Sequence, residues 1–271
     1  MPDDKSAFRL RVLSALALVP IALGIVVAGG WIYTAFVGLL AVLMALEWRR
    51  LSEVRFGREY GRLAGGLALG LGLAATIFTA LGRPREAVAC IVLGMVLAGL
   101  LARTRAAASL WASMGVALVA LPAVALVWLR SIPDVGLDLL LWLLIVVWTT
   151  DTAAYMVGRR VGGPRLAPSI SPGKTWSGLG GGVIGAGLAS VLTYWALDVG
   201  RLVHAAGLGA LFAVLAQLGD LAESALKRRV GVKDSGSLIP GHGGVLDRVD
   251  GLLLTAPALA LLVGSKAWPW P

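Results

Sequence analysis

The chain has 271 residues, of which 58% are hydrophobic and only 14% charged, and a formal net charge of +9. Soluble domains carry about a quarter charged residues, so a chain this apolar is excluded from that class. Apolar runs close to the ~20 residues that cross a ~30 Å hydrocarbon layer recur from end to end, which makes it an all-α polytopic membrane protein. The basic balance then belongs to membrane topology, and nucleic acid is not an expected partner.

The first apolar run, residues 10–28, is followed so closely by a second that it is expected to be a retained span and not a cleaved leader. Gly29 and Gly30 alone separate it from the run 31–47, which predicts a tight helical hairpin. Further spans are expected at 62–81, 87–102, 107–129, 137–158, 175–197, 203–226 and 250–267, nine in all. No linker, low-complexity segment or strand pattern interrupts them. Cys90 is the single cysteine, so no intrachain disulfide forms, and a small buried side chain is expected there.

Nine spans put the termini on opposite sides, and the Lys/Arg distribution decides which is which. With the N-terminus in the cytoplasm, only Arg83, Arg85, Arg130, Arg201 and Lys266 of the 24 Lys and Arg fall on the far side. The expectation is N-terminus in and C-terminus out, in the cell's inner (plasma) membrane. Residues 1–130, about five spans, hold few polar groups within their apolar runs and read as scaffold. Residues 131–271, about four spans with cytoplasmic loops 159–174 and 227–249, hold nearly all of them and are expected to carry the chemistry.

Asp151 precedes Arg159 by eight residues, about 12 Å along a helix, and Asp220 precedes Lys227 by seven. Asp247 and Asp250 begin the last span from the same side, and Lys174 and Thr175 open the seventh. Four expected helices therefore bring polar side chains to one leaflet. A single carboxylate in hydrocarbon is as readily a structural partner for an Arg as a ligand, but a one-sided cluster beside glycine-rich loops points to a cation site. Asp220, Glu223, Ser224 and Lys227 share one helix face, and Asp247 and Asp250 share another. Oxygen ligands on two such helices suit Mg²⁺, a hard cation that arrives with phosphate. Asp151, Tyr155 and Gly158 also share a face, with packing the simpler account of Tyr155. His204, near the opposite interface, is expected to be inert.

Two loops add anion-binding character. In SPGKTWSGLGGG, residues 171–182, Lys174 and Thr175 stand at a helix N-terminus, where free N–H groups and the helix dipole attract anions. The glycines that follow read as close helix packing. In KDSGSLIPGHGGVLDRVD, residues 233–250, glycines let backbone amides approach a polyanion, while Lys227, Arg228, Lys233 and Arg248 supply countercharge. A positive-inside anchor loop accounts for the Lys and Arg but not for the interleaved Asp, nor for His242-Gly243-Gly244 before a span. Together the residues predict a site for a metal–triphosphate complex at the cytoplasmic membrane face.

SALKRRVGVKDSGSLIPGHGGVLDRVD, residues 224–250, resembles the signature of the phosphatidate cytidylyltransferases, or CDP-diacylglycerol synthases. The matching positions are Ser224, Lys227-Arg228, Lys233-Asp234, Gly236, Pro240, His242-Gly243-Gly244, Asp247-Arg248 and Asp250. QLGDLAES around Asp220, DTAAYMVG from Asp151 and LAPSISPGKTW from Leu166 are similar to the family as well. The motifs cover the C-terminal half, and the N-terminal half is similar in hydropathy. Many members carry an acidic residue soon after the Lys-Thr-aromatic string, where this chain has Ser177.

The resemblance implies transfer of cytidylate from CTP to phosphatidic acid in the lipid bilayer, giving CDP-diacylglycerol and pyrophosphate for phospholipid biosynthesis, with Mg²⁺ required. By matching positions, Asp220 and Asp247 are the implied metal ligands, with Glu223 and Asp250 as alternative or supporting ones. Lys174, Thr175, Lys227, Arg228, Lys233 and Arg248 would hold phosphates of CTP or of the lipid. His242, Gly243 and Gly244 would shape the phosphate loop, and Asp151, Ser171, Ser224 and Asp234 complete the implied substrate site. Whether a second, monovalent cation joins the Mg²⁺ is left open, and a homodimer is suggested. Two other readings stand beside this one. A CTP-dependent lipid kinase of the polyprenol type shares similar nucleotide motifs but would leave CDP. An ion-coupled transporter would use Asp151 and Asp220 as cation sites, but transporters place such residues near the midplane, often in inverted repeats, and none is found here.

Overall fold

The computed structural model describes residues 19–101, 106–236 and 243–266. In chain order its helices are α1 (Val19–Ala28), α2 (Gly30–Phe56), α3 (Arg58–Ala80), α4 (Pro84–Leu101), α5 (Ala106–Ser131) and α6 (Gly136–Val161). After a hairpin of two short strands, β1 (Arg165–Ala167) and β2 (Ser171–Thr175), come α7 (Trp176–Leu197), α8 (Leu202–Val230), the single turn α9 (Leu246–Val249) and α10 (Leu252–Gly264). Among the described residues seven helices, α2 to α8, are long and apolar enough to cross a membrane, while α1 and α10 are shorter apolar helices; residues 10–18 of the first expected span lie outside the described residues. The chain is thus an all-α, multi-pass membrane protein.

Two differences from the expected elements have physical causes. Hydropathy marks where lipid ends, not where a helix ends: α2 continues past Glu47 to Phe56 and α3 already starts at Arg58, with only Gly57 between them. Arg and Glu are good helix formers, and Arg49 pairs with Glu53 one turn on, at 2.8 Å. The hairpin is the second difference. Arg165 pairs with Thr175 and Ala167 with Ser171, antiparallel. Strands of three and five residues rich in Pro and Gly leave no alternating pattern to read.

The described chain forms two compact units, Met1–Leu137 with Val232–Arg248, and Asp138–Gly231 with Val249–Pro271. In the first, Trp48 of α2 stacks on Trp111 of α5 at 4.7 Å between ring centroids. The Trp111 indole N–H donates to the Ser52 hydroxyl at 2.9 Å, so the aromatic pair carries its own polar anchor. Arg130, at the end of α5, donates to the carbonyls of Val26 and Val27 at 2.8 and 3.0 Å, satisfying the last turn of α1. Cys90 is half-buried against the small cluster Ala75, Ala87, Ile91 and Ala120.

In the second unit the tight seam is made by small residues. A Cβ on Gly178 would come within 2.9 Å of the Ala154 carbonyl, and one on Gly181 within 2.6 Å of Val157 Cβ. The glycines after Thr175 therefore bring the backbones of α6 and α7 together, the packing by which spans associate without a hydrophobic driving force. Trp142 of α6 sits at the centre, donating to Ser190 of α7 at 2.8 Å and meeting Phe212 of α8 edge-on at 5.1 Å. This packing fixes α6, the hairpin, α7 and α8 around one polar cavity.

Candidate active site

That cavity has a volume of about 660 Å³, within the range of small-molecule sites. Helix α6 contributes Asp151, Tyr155 and Gly158, the face expected from their spacing, together with Arg159, and α8 contributes Gln217 and Asp220. The hairpin adds Arg165, Ser171, Gly173, Lys174 and Thr175. Five residues predicted from the sequence, Asp151, Ser171, Lys174, Thr175 and Asp220, thus line one space.

Thr175 is the N-cap of α7: its hydroxyl accepts from the Gly178 amide at 3.0 Å, the standard device for an orphan N–H. Ser177, one residue into the helix, donates to the Gly162 carbonyl and lies 3.0 Å from the Thr175 hydroxyl. The helix start is held against the glycine turn that follows α6. Lys174 projects from β2 to Asp220, 2.6 Å away, with the two side chains 17% and 25% exposed. Ser224, one turn along α8, donates to Asp220 at 3.3 Å, and Gln217 donates to Asp151 at 3.4 Å. One wall therefore carries two carboxylates, and Lys174, Arg159 and Arg165 carry the opposite charge.

The next turn of α8 is of another kind. Glu223 and Lys227 form a 2.6 Å ion pair with side chains 5% and 11% exposed. The structure thus separates the shared face of α8 into an open pair of Asp220 with Ser224 and a closed pair of Glu223 with Lys227. Arg228 donates to the Ile170 carbonyl at 3.1 Å, tying the end of α8 to the hairpin turn.

The other predicted residues lie on the loop 232–250. In the first unit, buried Asp247 folds the loop upon itself: its Oδ2 accepts from the amides of Gly244 at 2.8 Å and Ser235 at 3.1 Å. Gly243 has φ +81° and a Cβ there would stand 2.6 Å from Asp247 Oδ2, so glycine is required on both counts. Lys233, Asp234 and Arg248 are exposed. Asp234 borders a cavity of about 210 Å³ with Arg50. Asp250 is half-buried, its Oδ1 accepting from the Gly251 amide at 2.8 Å. His242 and Pro240 lie outside the described residues. Within each unit, no three Asp, Glu, His or Cys side chains converge among the described residues.

Three residues in these arrangements escaped the sequence reading. Arg159 and Arg165 read from the sequence as topology charges alone, yet both line the cavity. Glu47 of α2 was assigned to scaffold; it is 3% exposed and accepts from the Ser235 hydroxyl at 2.9 Å and the Val245 and Leu246 amides at 2.7 and 2.9 Å. A signal was present: Glu47 is the only acid in the run from Gly30 to Trp48, and an acid inside a span needs a partner.

Comparison with known proteins bears on the family of the chain. The sequence matches the Cytidylyltransferase family over residues 9–265. A phosphatidate cytidylyltransferase of Brucella suis is 38% identical over 273 residues, 97% of this chain and 96% of its own. One of Pseudomonas aeruginosa is 36% identical over 274 residues, 96% of this chain and 98% of its own. One of Bacillus subtilis is 41% identical over 139 residues, half of each chain (50% and 51%). With a family match over residues 9–265 and relatives alike nearly from end to end, the chain belongs to the cytidylyltransferase family.

Proposed function

We propose that this membrane enzyme is a phosphatidate cytidylyltransferase, joining cytidylate from CTP to phosphatidic acid and releasing pyrophosphate. The observation that carries the reading is the end-to-end likeness to proteins of that name at 36–38% identity. The polar cavity supports it, because it places carboxylates, cations and a capped helix start inside a bilayer-spanning unit. A phosphate oxygen of phosphatidic acid attacks the α-phosphorus of CTP. The bond from that phosphorus to the oxygen bridging the α and β phosphates breaks, and pyrophosphate leaves with the electron pair. The lipid phosphate is already ionised near neutral pH, so no strong base is needed, and the work of the site is alignment and charge neutralisation.

Lys174, Arg159 and Arg165 neutralise phosphate oxygens, and the start of α7 behind Thr175 offers partial positive charge to them. Arg228, ending α8, extends this positive field, and Lys227, now paired with Glu223, is assigned to the phosphates with Lys233 and Arg248 by the family motif.

The donor set fits Mg²⁺. Asp151 and Asp220 both line the cavity, Asp220 paired with Lys174, and Mg²⁺ is usually held by one or two carboxylates plus phosphate oxygens and water. Asp220 is the first proposed ligand, with Asp247 the second by the family motif. When bound, the ion supplies charge neutralisation at the attacking and leaving oxygens. We further infer that the site faces the cytoplasm across the inner membrane, where soluble CTP is available and most Lys and Arg are expected. The test is mass spectrometry of lipid extracted after the purified protein meets CTP, phosphatidic acid and Mg²⁺. CDP-diacylglycerol is expected, falling to background with excess EDTA and returning when Mg²⁺ is restored; product formation unaffected by EDTA would remove the metal from the account.

A further inference from the structure

The first unit contains a buried carboxylate that the reaction does not explain. Glu47 lies inside α2, a span of 27 residues, yet its side chain accepts hydrogen bonds from residues about 190 positions later. Oε1 accepts from the Val245 amide, and Oε2 from the Leu246 amide and the Ser235 hydroxyl. These are the strong, charge-assisted kind. The surrounding backbone is shaped to this group: a Cβ on Gly236 would lie 2.8 Å from Glu47 Oε1, and one on Gly244 would lie 2.6 Å from either oxygen. A side chain at either motif glycine would crowd the Glu47 carboxylate, and at Gly244 the Ser235 hydroxyl as well.

The same loop residues face Asp247 from the other side. Ser235 gives its hydroxyl to Glu47 and its amide to Asp247, while the Gly244 amide goes to Asp247 and the next two amides go to Glu47. We infer that Glu47 is a positioning residue: it fixes the two ends of the loop, Ser235–Gly236 and Gly244–Leu246, so that Asp247 is held in one orientation for catalysis. The inference rests on the proposed function for its catalytic half and on the geometry alone for the loop.

Glu47→Gln is the informative change, since it keeps the volume but leaves one acceptor where three donors converge. Amide hydrogen exchange at Ser235, Val245 and Leu246 is expected to accelerate roughly 10- to 100-fold, the span of one lost charge-assisted bond, with α3 amides unchanged. In the same protein kcat is expected to fall by a similar factor. Ser235→Ala, which removes one bond from the loop side, should act in the same direction by about 3- to 10-fold, and decides the matter if Glu47→Gln does not fold. Ser52→Ala is the control: it loses a buried hydrogen bond to Trp111 in the same unit and lowers the melting temperature without changing kcat per folded molecule. Wild-type exchange and kcat in Glu47→Gln would overturn the inference, as would an equal kcat loss in Ser52→Ala. A wild-type protein that makes no cytidylated lipid fails the proposed function on that measurement, and the exchange data still decide the tether.

Discussion

Asp220→Asn is expected to lower cytidylate transfer by at least about 10²-fold while the helical bundle stays folded. Asp220 faces a cavity with room for a nucleotide and is held on both sides, by Lys174 at 2.6 Å and Ser224 at 3.3 Å. Asn keeps the shape and the hydrogen bond but removes the charge on which both the cation and the Lys174 pair depend. Because the pair is part-exposed, its loss should cost only about 1 kcal/mol of stability. The double variant Lys174→Met/Asp220→Asn separates two roles. If the pair were only a structural clasp, neutralising both partners would restore turnover; if the charges serve the substrates, the double variant is at least as inactive as the single one. Initial rates at saturating CTP, with circular dichroism as the folding check, give the answer.

Asp247→Asn is expected to be as severe, a loss of roughly 10²- to 10³-fold. Asp247 does two things that Asn cannot do together. Its Oδ2 takes two amide hydrogens, from Gly244 and Ser235, and its negative charge is what the family motif assigns to the metal. The single oxygen of Asn can keep both amides, but its NH2 would stand where Oδ1 now lies 3.3 Å from the Ser235 amide, and the charge is gone. The change is expected to stay local to the loop. Size-exclusion elution and helical content should match the wild type. Near-normal activity in this variant would remove Asp247 from the metal site without touching the family assignment.

What the sequence made legible follows from where the physics is local. The long spans were readable because crossing lipid demands about 20 apolar residues in a row. The shared face of Asp151, Tyr155 and Gly158, and the Asp220–Ser224 contact, follow from helical spacing alone. The N-cap at Thr175 follows from residue type beside a helix start. The extent of α2 and α3 was not readable, because charged residues continue a helix beyond the lipid. Nor was the hairpin at 165–175, whose strands are too short to alternate. The cavity's cations Arg159 and Arg165 had already been explained by topology, so nothing marked them as lining a site. Glu47 was missed for a different reason: its partners are nearly two hundred residues away, and no spacing rule connects a lone acid in one span to the amides of a distant loop.

The most direct measurement follows two phosphorus labels through one turnover. Purified protein is given phosphatidic acid, Mg²⁺ and CTP labelled at either the α or the γ phosphate. Cytidylate transfer predicts that the α label moves into chloroform-soluble lipid and the γ label leaves in pyrophosphate, one for one. A γ label in the lipid with CDP left behind would make the enzyme a lipid kinase, and lipid free of both labels would contradict the account entirely.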